Sequence, residues 1–141
     1  MDYQAFINAT NEMADEINQN AVDHGFYEDA PSLPERLMLM VTELSEALEE
    51  HRDGKPVTYL VCNHWDDSVG GKPCRGCGIA HRAEPCGYRG KKPEGIGVEL
   101  ADCAIRILDT CSFQGIDIGT LIVEKHEYNK TRPYKHGGKL I

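Results

Sequence analysis

Between Met1 and Asp53 the sequence holds two basic residues, Arg36 and Arg52, against thirteen acidic ones. A general nucleic-acid binder needs a broad basic face, so this scarcity argues against that class. Long apolar runs are missing as well. The longest, Leu37 to Val41, has five residues, far short of the ~20 needed to cross a bilayer. The N-terminal stretch MDYQAFINATNEMADE has neither the basic start nor the apolar segment of an export signal. The expectation is a cytoplasmic protein without membrane contact, in the host cytoplasm if the gene is viral. No internal repeat of the length that solenoids require is present.

What is there is an ordinary globular composition: 141 residues, 40% hydrophobic and 27% charged. That length predicts a single domain, 1–141, whose core needs neither disulfides nor metals merely to fold. The net charge of −8 is unevenly spread. Residues 54–95 carry four acids and seven bases, and the later bases gather at Lys125, Lys130, Arg132, Lys135 and Lys139. An acidic body with a basic tail suits a site that holds cations on carboxylates and phosphates on a few bases. A solvated acidic surface has the same balance.

The spacing of apolar residues predicts an all-α fold of four helices. The first runs from about Tyr3 to Asp23, before a Gly- and Pro-bearing break at Gly25 to Ser32. Ser32, Pro34 and Glu35 read as a capping box that starts the second. That helix, about Leu33 to Arg52, places Leu37, Met40, Val41, Leu44, Ala47 and Leu48 on one face, an amphipathic pattern. The third, about Gly97 to Phe113, repeats it with Val98, Ala101, Ile105 and Leu108. Gly115 stops it, and Asp117 is placed to cap a fourth that reaches about Lys130. Val57 to Val61 alone has the composition of a short strand.

Residues 54–95 are of a different material. They hold eight of the fourteen glycines, four of the seven prolines and four of the six cysteines. So long a loop in a compact helical domain calls for something other than an apolar core to hold it. It reads as an insertion between helices two and three. Cys62, His64, Cys74, Cys77, His81 and Cys86 fall within twenty-five residues of it. Without an export signal, thiolates at such spacings point to structural Zn²⁺ rather than disulfides. The preferred ligand set is Cys62, Cys74, Cys77 and Cys86. The alternative puts His81 in place of Cys62 and resembles a retroviral-type zinc knuckle, one residue short between Cys77 and His81. Cys103 and Cys111 read as buried packing residues of helix three.

Glu43 and Glu46 sit three apart on helix two, and Glu99 and Asp102 three apart on helix three. At ~100° per residue, each pair occupies one narrow stripe, away from the main apolar face. Two antiparallel helices could bring the four carboxylates together, where like charges repel unless a cation intervenes. Mg²⁺ suits such a set, because it takes oxygen ligands and pairs with substrate phosphates. On a single helix such a pair usually serves solubility alone. In the tail, Lys125, Asn129 and Arg132 follow helical spacing and, with Tyr134, offer donors to phosphate oxygens. A frayed basic C-terminus has the same composition.

The combination TELSEALEE (Thr42 to Glu50), VELADCAIR (Val98 to Arg106) and EYNKTRPYKHGGK (Glu127 to Lys139) resembles the MazG-type, all-α nucleoside triphosphate pyrophosphohydrolases. The resemblance covers residues 1–53 and 93–141 and departs from the family's pattern at the long insertion between the two acidic motifs. It implies a four-helix bundle that assembles as a dimer or tetramer and cleaves a nucleoside triphosphate between its α- and β-phosphates with Mg²⁺. Carried over, Glu43, Glu46, Glu99 and Asp102 become magnesium ligands. Lys125, Asn129, Arg132 and Tyr134 become contacts to phosphate or ribose. Glu46 is the carboxylate expected to orient or deprotonate the attacking water. Phe26 and Tyr27 are candidates for stacking on the base, or else for capping the bundle core. A reading of another class remains beside this one: a zinc-containing binding or regulatory module whose insertion grips nucleic acid or protein while the helices only dimerise.

Overall fold

The computed structural model describes residues 1–29, 31–62, 72–73, 80–81 and 91–134. Among them are four helices of 21, 20, 18 and 13 residues: α1 (Tyr3–Asp23), α2 (Leu33–Arg52), α3 (Ile96–Phe113) and α4 (Ile118–Lys130). The first two have the bounds read from the sequence, and α3 starts one residue earlier than expected. The little sheet present is two antiparallel pairs, β1 (Tyr59–Cys62) with β4 (Lys91–Glu94) and β2 (Lys72–Pro73) with β3 (Ala80–His81). The protein is thus mostly helical. None of its described helices is long and apolar enough to cross a membrane.

Local chemistry starts and stops these helices. Asp2 caps α1 by accepting from the Ala5 amide at 3.1 Å. Asp117 caps α4 by accepting from the Thr120 amide at 3.0 Å and from the Thr120 hydroxyl at 2.7 Å. Ahead of α2, Glu35 reaches back to accept from the Ser32 amide and hydroxyl at 2.7 and 2.6 Å. That return arm of the capping box satisfies a donor the helix leaves open.

The chain divides into two compact units, Met1–Met40 with Ala104–Ile141, and Val41–Cys103. Their boundaries fall inside α2 and α3. In the first unit α1 packs on α4. Gly119 permits this close approach, because a Cβ there would stand 2.7 Å from the Ile7 carbonyl oxygen and 2.9 Å from its Cα. The Asn11 side chain accepts from the Gly119 amide at 2.9 Å and donates to Asp117 at 2.7 Å. Asn11 thereby fixes both the register of the two helices and the cap.

In the second unit the stretch between α2 and α3 opens and closes in a β-ladder in which Tyr59 faces Glu94 and Val61 faces Lys92. The strand β1 begins two residues later than its composition predicted. Val57 instead offers its carbonyl to the Gly97 amide at 2.8 Å, tying the chain before β1 to the first turn of α3. Gly95 links β4 to α3 at φ +108°, and a Cβ there would lie 2.7 Å from the Val57 oxygen and 2.8 Å from the Pro56 oxygen. Only glycine fits that junction.

Candidate functional site

In the 41–103 unit, the three-residue spacing of Glu43 and Glu46 puts both on one side of α2, and one turn further lies Glu50. Glu99 stands in the first turn of α3. The structure brings these helices' carboxylates together: one ligand oxygen each from Glu43, Glu46 and Glu99 lie within 4.8 Å of one another. Glu43 and Glu99 are each only 6% exposed, while Glu46 is open to solvent. Asp102, half-buried one turn along α3, stands outside that group of three.

Crowding has an electrostatic signature. Burial pushes the Glu99 carboxyl above its ordinary range, and the charges of Glu46, Asp102, Glu94 and Glu43 push it in the same direction. A buried carboxylate among like charges is costly unless a cation offsets it. The donor set is all oxygen, which suits a hard divalent ion such as Mg²⁺. On donor chemistry and spacing, the residues fit that ion.

The expected orientation of the stripe differs from what the fold adopts. Glu43, Ala47, Glu99 and Cys103 are the buried positions here, whereas Val41, Leu44 and Leu48 are about half exposed, Leu44 at 49%. Helical period assigns residues to a face but does not say which face the partner element covers. Ala47 is covered, and the leucines are left outward in the single chain.

The β1–β4 ladder is braced to both acidic helices. The Tyr59 hydroxyl donates to Glu50 Oε2 at 2.8 Å, and Lys55 Nζ stands 3.5 Å from Glu50 Oε1. At the other end, the Gly95 junction and the Val57–Gly97 hydrogen bond hold the start of α3. Lys92 on β4 pairs with Glu94 at 2.7 Å. Sequence reading did not single out Glu50, Tyr59, Lys92 or Glu94 as a set, because only the β1–β4 register joins them.

The remaining predicted site residues lie in the other unit. Lys125 and Asn129 are on α4, with Arg132 and Tyr134 just beyond it. Lys125 and Arg132 both approach the Tyr128 ring, at 4.9 and 5.3 Å. Phe26 is exposed, but Tyr27 is not presented in the same way. Its hydroxyl donates to Asp109 at 2.6 Å and accepts from Asn18 and Arg36 at 2.7 and 2.9 Å. Its ring packs 4.7 Å from Phe113. Burial, then the Asp109 hydrogen bond, pushes the Tyr27 phenol above its ordinary range. The structure therefore places Tyr27 in a packed polar cluster.

Arg36 completes that cluster and was not foreseen. Its guanidinium lies 4.6 Å from the Tyr27 ring centre and 4.5 Å from that of Phe113, and Nη1 pairs with Asp109 at 3.1 Å. The available signal was an arginine in the first turn of an amphipathic helix, within an otherwise acidic stretch.

Of the proposed zinc ligands, Cys74, Cys77 and Cys86 lie outside the described residues. Cys62 ends β1 and His81 ends β3. Cys103 and Cys111 are buried, as expected of packing thiols. No protein-family model, no curated protein and no solved structure matches the chain.

Proposed function

We propose that this chain is a Mg²⁺-dependent nucleoside triphosphate pyrophosphohydrolase that converts (d)NTP to (d)NMP and pyrophosphate. One observation carries the reading: two helices present oxygens from Glu43, Glu46 and Glu99 within 4.8 Å of one another, with two of the three side chains buried. The motif resemblance to MazG-type enzymes supplies the substrate class.

Glu43, Glu46, Glu99 and Asp102 would hold the ion. Bound there, Mg²⁺ supplies charge neutralisation for the triphosphate and Lewis acidity at phosphorus. Glu46, the solvent-facing carboxylate of the three, orients and deprotonates the attacking water. The water oxygen adds to the α-phosphorus, the α–β bridging bond breaks, and pyrophosphate leaves. The motif resemblance assigns phosphate and ribose contacts to Lys125, Asn129, Arg132 and Tyr134, and Phe26 is the candidate for stacking on the base.

The assembly proposed is a homodimer or homotetramer. Half-exposed Leu37, Val41, Leu44 and Leu48 along α2 support it, as a row of this kind is the usual mark of an interface. The insertion is proposed to be stapled by structural Zn²⁺, a closed four-ligand shell without a position for water. Metal analysis of protein purified without added zinc tests this, with about one ion per chain expected and a ratio near zero refuting it.

Activity is tested by incubating the protein with NTPs and dNTPs plus Mg²⁺ and measuring pyrophosphate. Glu46→Gln and Asp102→Asn each abolish turnover while the fold stays intact or gains stability from relieved repulsion. No release across the panel by folded, metal-loaded protein would remove the hydrolase reading. Full activity in both variants would remove the site assignment.

A further inference from the structure

The insertion separates the two acidic motifs in sequence, yet its root returns to them. Strand β4 passes through the single residue Gly95 into α3, so Lys92 and Glu94 stand seven and five positions before Glu99. The β1–β4 ladder, the Gly95 junction and the Tyr59–Glu50 hydrogen bond fix that root between the end of α2 and the start of α3. Lys92 is 61% exposed on its side chain and pairs with Glu94, which is 20% exposed. The positive charge of Lys92 is favoured by Glu94 first, and also by Glu99 and Asp102. The ammonium thus stands, paired with Glu94, on the strand that runs through Gly95 into the helix bearing Glu99 and Asp102.

We propose that Lys92 is a substrate-positioning cation of this site, contributed by the insertion: its ammonium rests on Glu94 in the free chain and swings to the phosphate oxygens of a metal-bound polyphosphate. The inference rests on the pyrophosphohydrolase reading and adds a residue to it. Energetics favour the exchange. An ion pair whose ammonium side is open to solvent, as in Lys92–Glu94, is weakly held, so little keeps the ammonium in place. A triphosphate brings several charges and strong acceptors to the same neighbourhood, and the four-carbon lysine stem can follow them. Glu94 then holds the ammonium at the root of α3 between turnovers. In this arrangement the insertion does more than decorate the fold, because its root strand supplies a working group.

The experiment is calorimetric titration of the full chain with inorganic tripolyphosphate in saturating Mg²⁺, which needs neither turnover nor knowledge of the base. Lys92→Ala weakens tripolyphosphate binding about tenfold, the loss of one charge-assisted contact, and Lys92→Arg recovers most of it. Mg²⁺ alone binds Lys92→Ala as tightly as the parent or more tightly, since a cation near Glu99 and Asp102 has gone. A residue that merely braced the root would instead weaken Mg²⁺ binding when removed. Unchanged tripolyphosphate affinity in Lys92→Ala, loss of Mg²⁺ affinity, or no tripolyphosphate binding by the parent chain each overturns the proposal. Pyrophosphate release from nucleotides is scored separately, so failure of the hydrolase reading and failure of the Lys92 role give different results.

Discussion

At the scale of single residues, the polar cluster around Arg36 shows how a buried charge is made tolerable. Arg36 is 5% exposed. It survives there because Asp109 supplies the opposite charge, the Pro31 carbonyl accepts from Nε at 3.1 Å, and two aromatic rings cover the guanidinium faces. Breaking one half of such a pair leaves the other poorly solvated and uncompensated. Arg36→Met is expected to cost about 3 kcal/mol, read from chemical denaturation. A loss within experimental error would show that the pair is not coupled to the fold. Asp117 gives the pH prediction. Hydrogen bonds from Asn11 first, then from the Thr120 amide and hydroxyl, hold its carboxyl below the usual range. A folded value below the unfolded one means that the stabilisation is complete above the ordinary carboxylate value, about 4, and is lost as pH falls through the depressed value. Thermal midpoints measured from pH 6 down to pH 2.5 should therefore fall less steeply in Asp117→Asn than in the parent, from a lower starting point. Parallel curves would assign the acid sensitivity elsewhere.

At the scale of elements, helix bounds were legible because their determinants are local. Asp117, Ser32 with Glu35, and the glycines after α2 and α3 act within a turn of the helix ends they define, so reading along the chain finds them. The approach of α1 to α4 was not legible, since Gly119 looks like any glycine near a helix start until Ile7 is seen against it. Gly119→Val is expected to force that contact apart at a cost of about 1–3 kcal/mol, measured by thermal or urea unfolding. A neutral result would mean that the helices slide past one another freely. The strand β4 was likewise invisible: Lys91-Lys92-Pro93-Glu94 has no strand composition, and it becomes a strand only by pairing with β1.

At the scale of the whole molecule, the chain leaves much of its apolar surface uncovered: Leu37, Val41, Leu44 and Leu48 on α2, and Leu121 and Ile122 on α4, are all more than 40% exposed. Under the proposed assembly, Leu44→Asp should shift the protein toward monomer in light scattering and lower its thermal midpoint, because it places a charge where a partner helix would pack. An unchanged mass would remove α2 from the interface. The sequence by itself determined the helices, their caps and the pairing of carboxylates on single stripes, all of which follow from the 3.6-residue period and neighbours within one turn. Only the tertiary structure decided that Glu43 and Glu99 are buried while leucines of α2 are not, that Tyr27 is engaged by Arg36 and Asp109, and that the β1–β4 ladder adjoins the start of α3. Those outcomes depend on contacts between residues tens of positions apart. A period fixes the angle between side chains on one helix, but the side that is covered depends on what the rest of the chain brings against it.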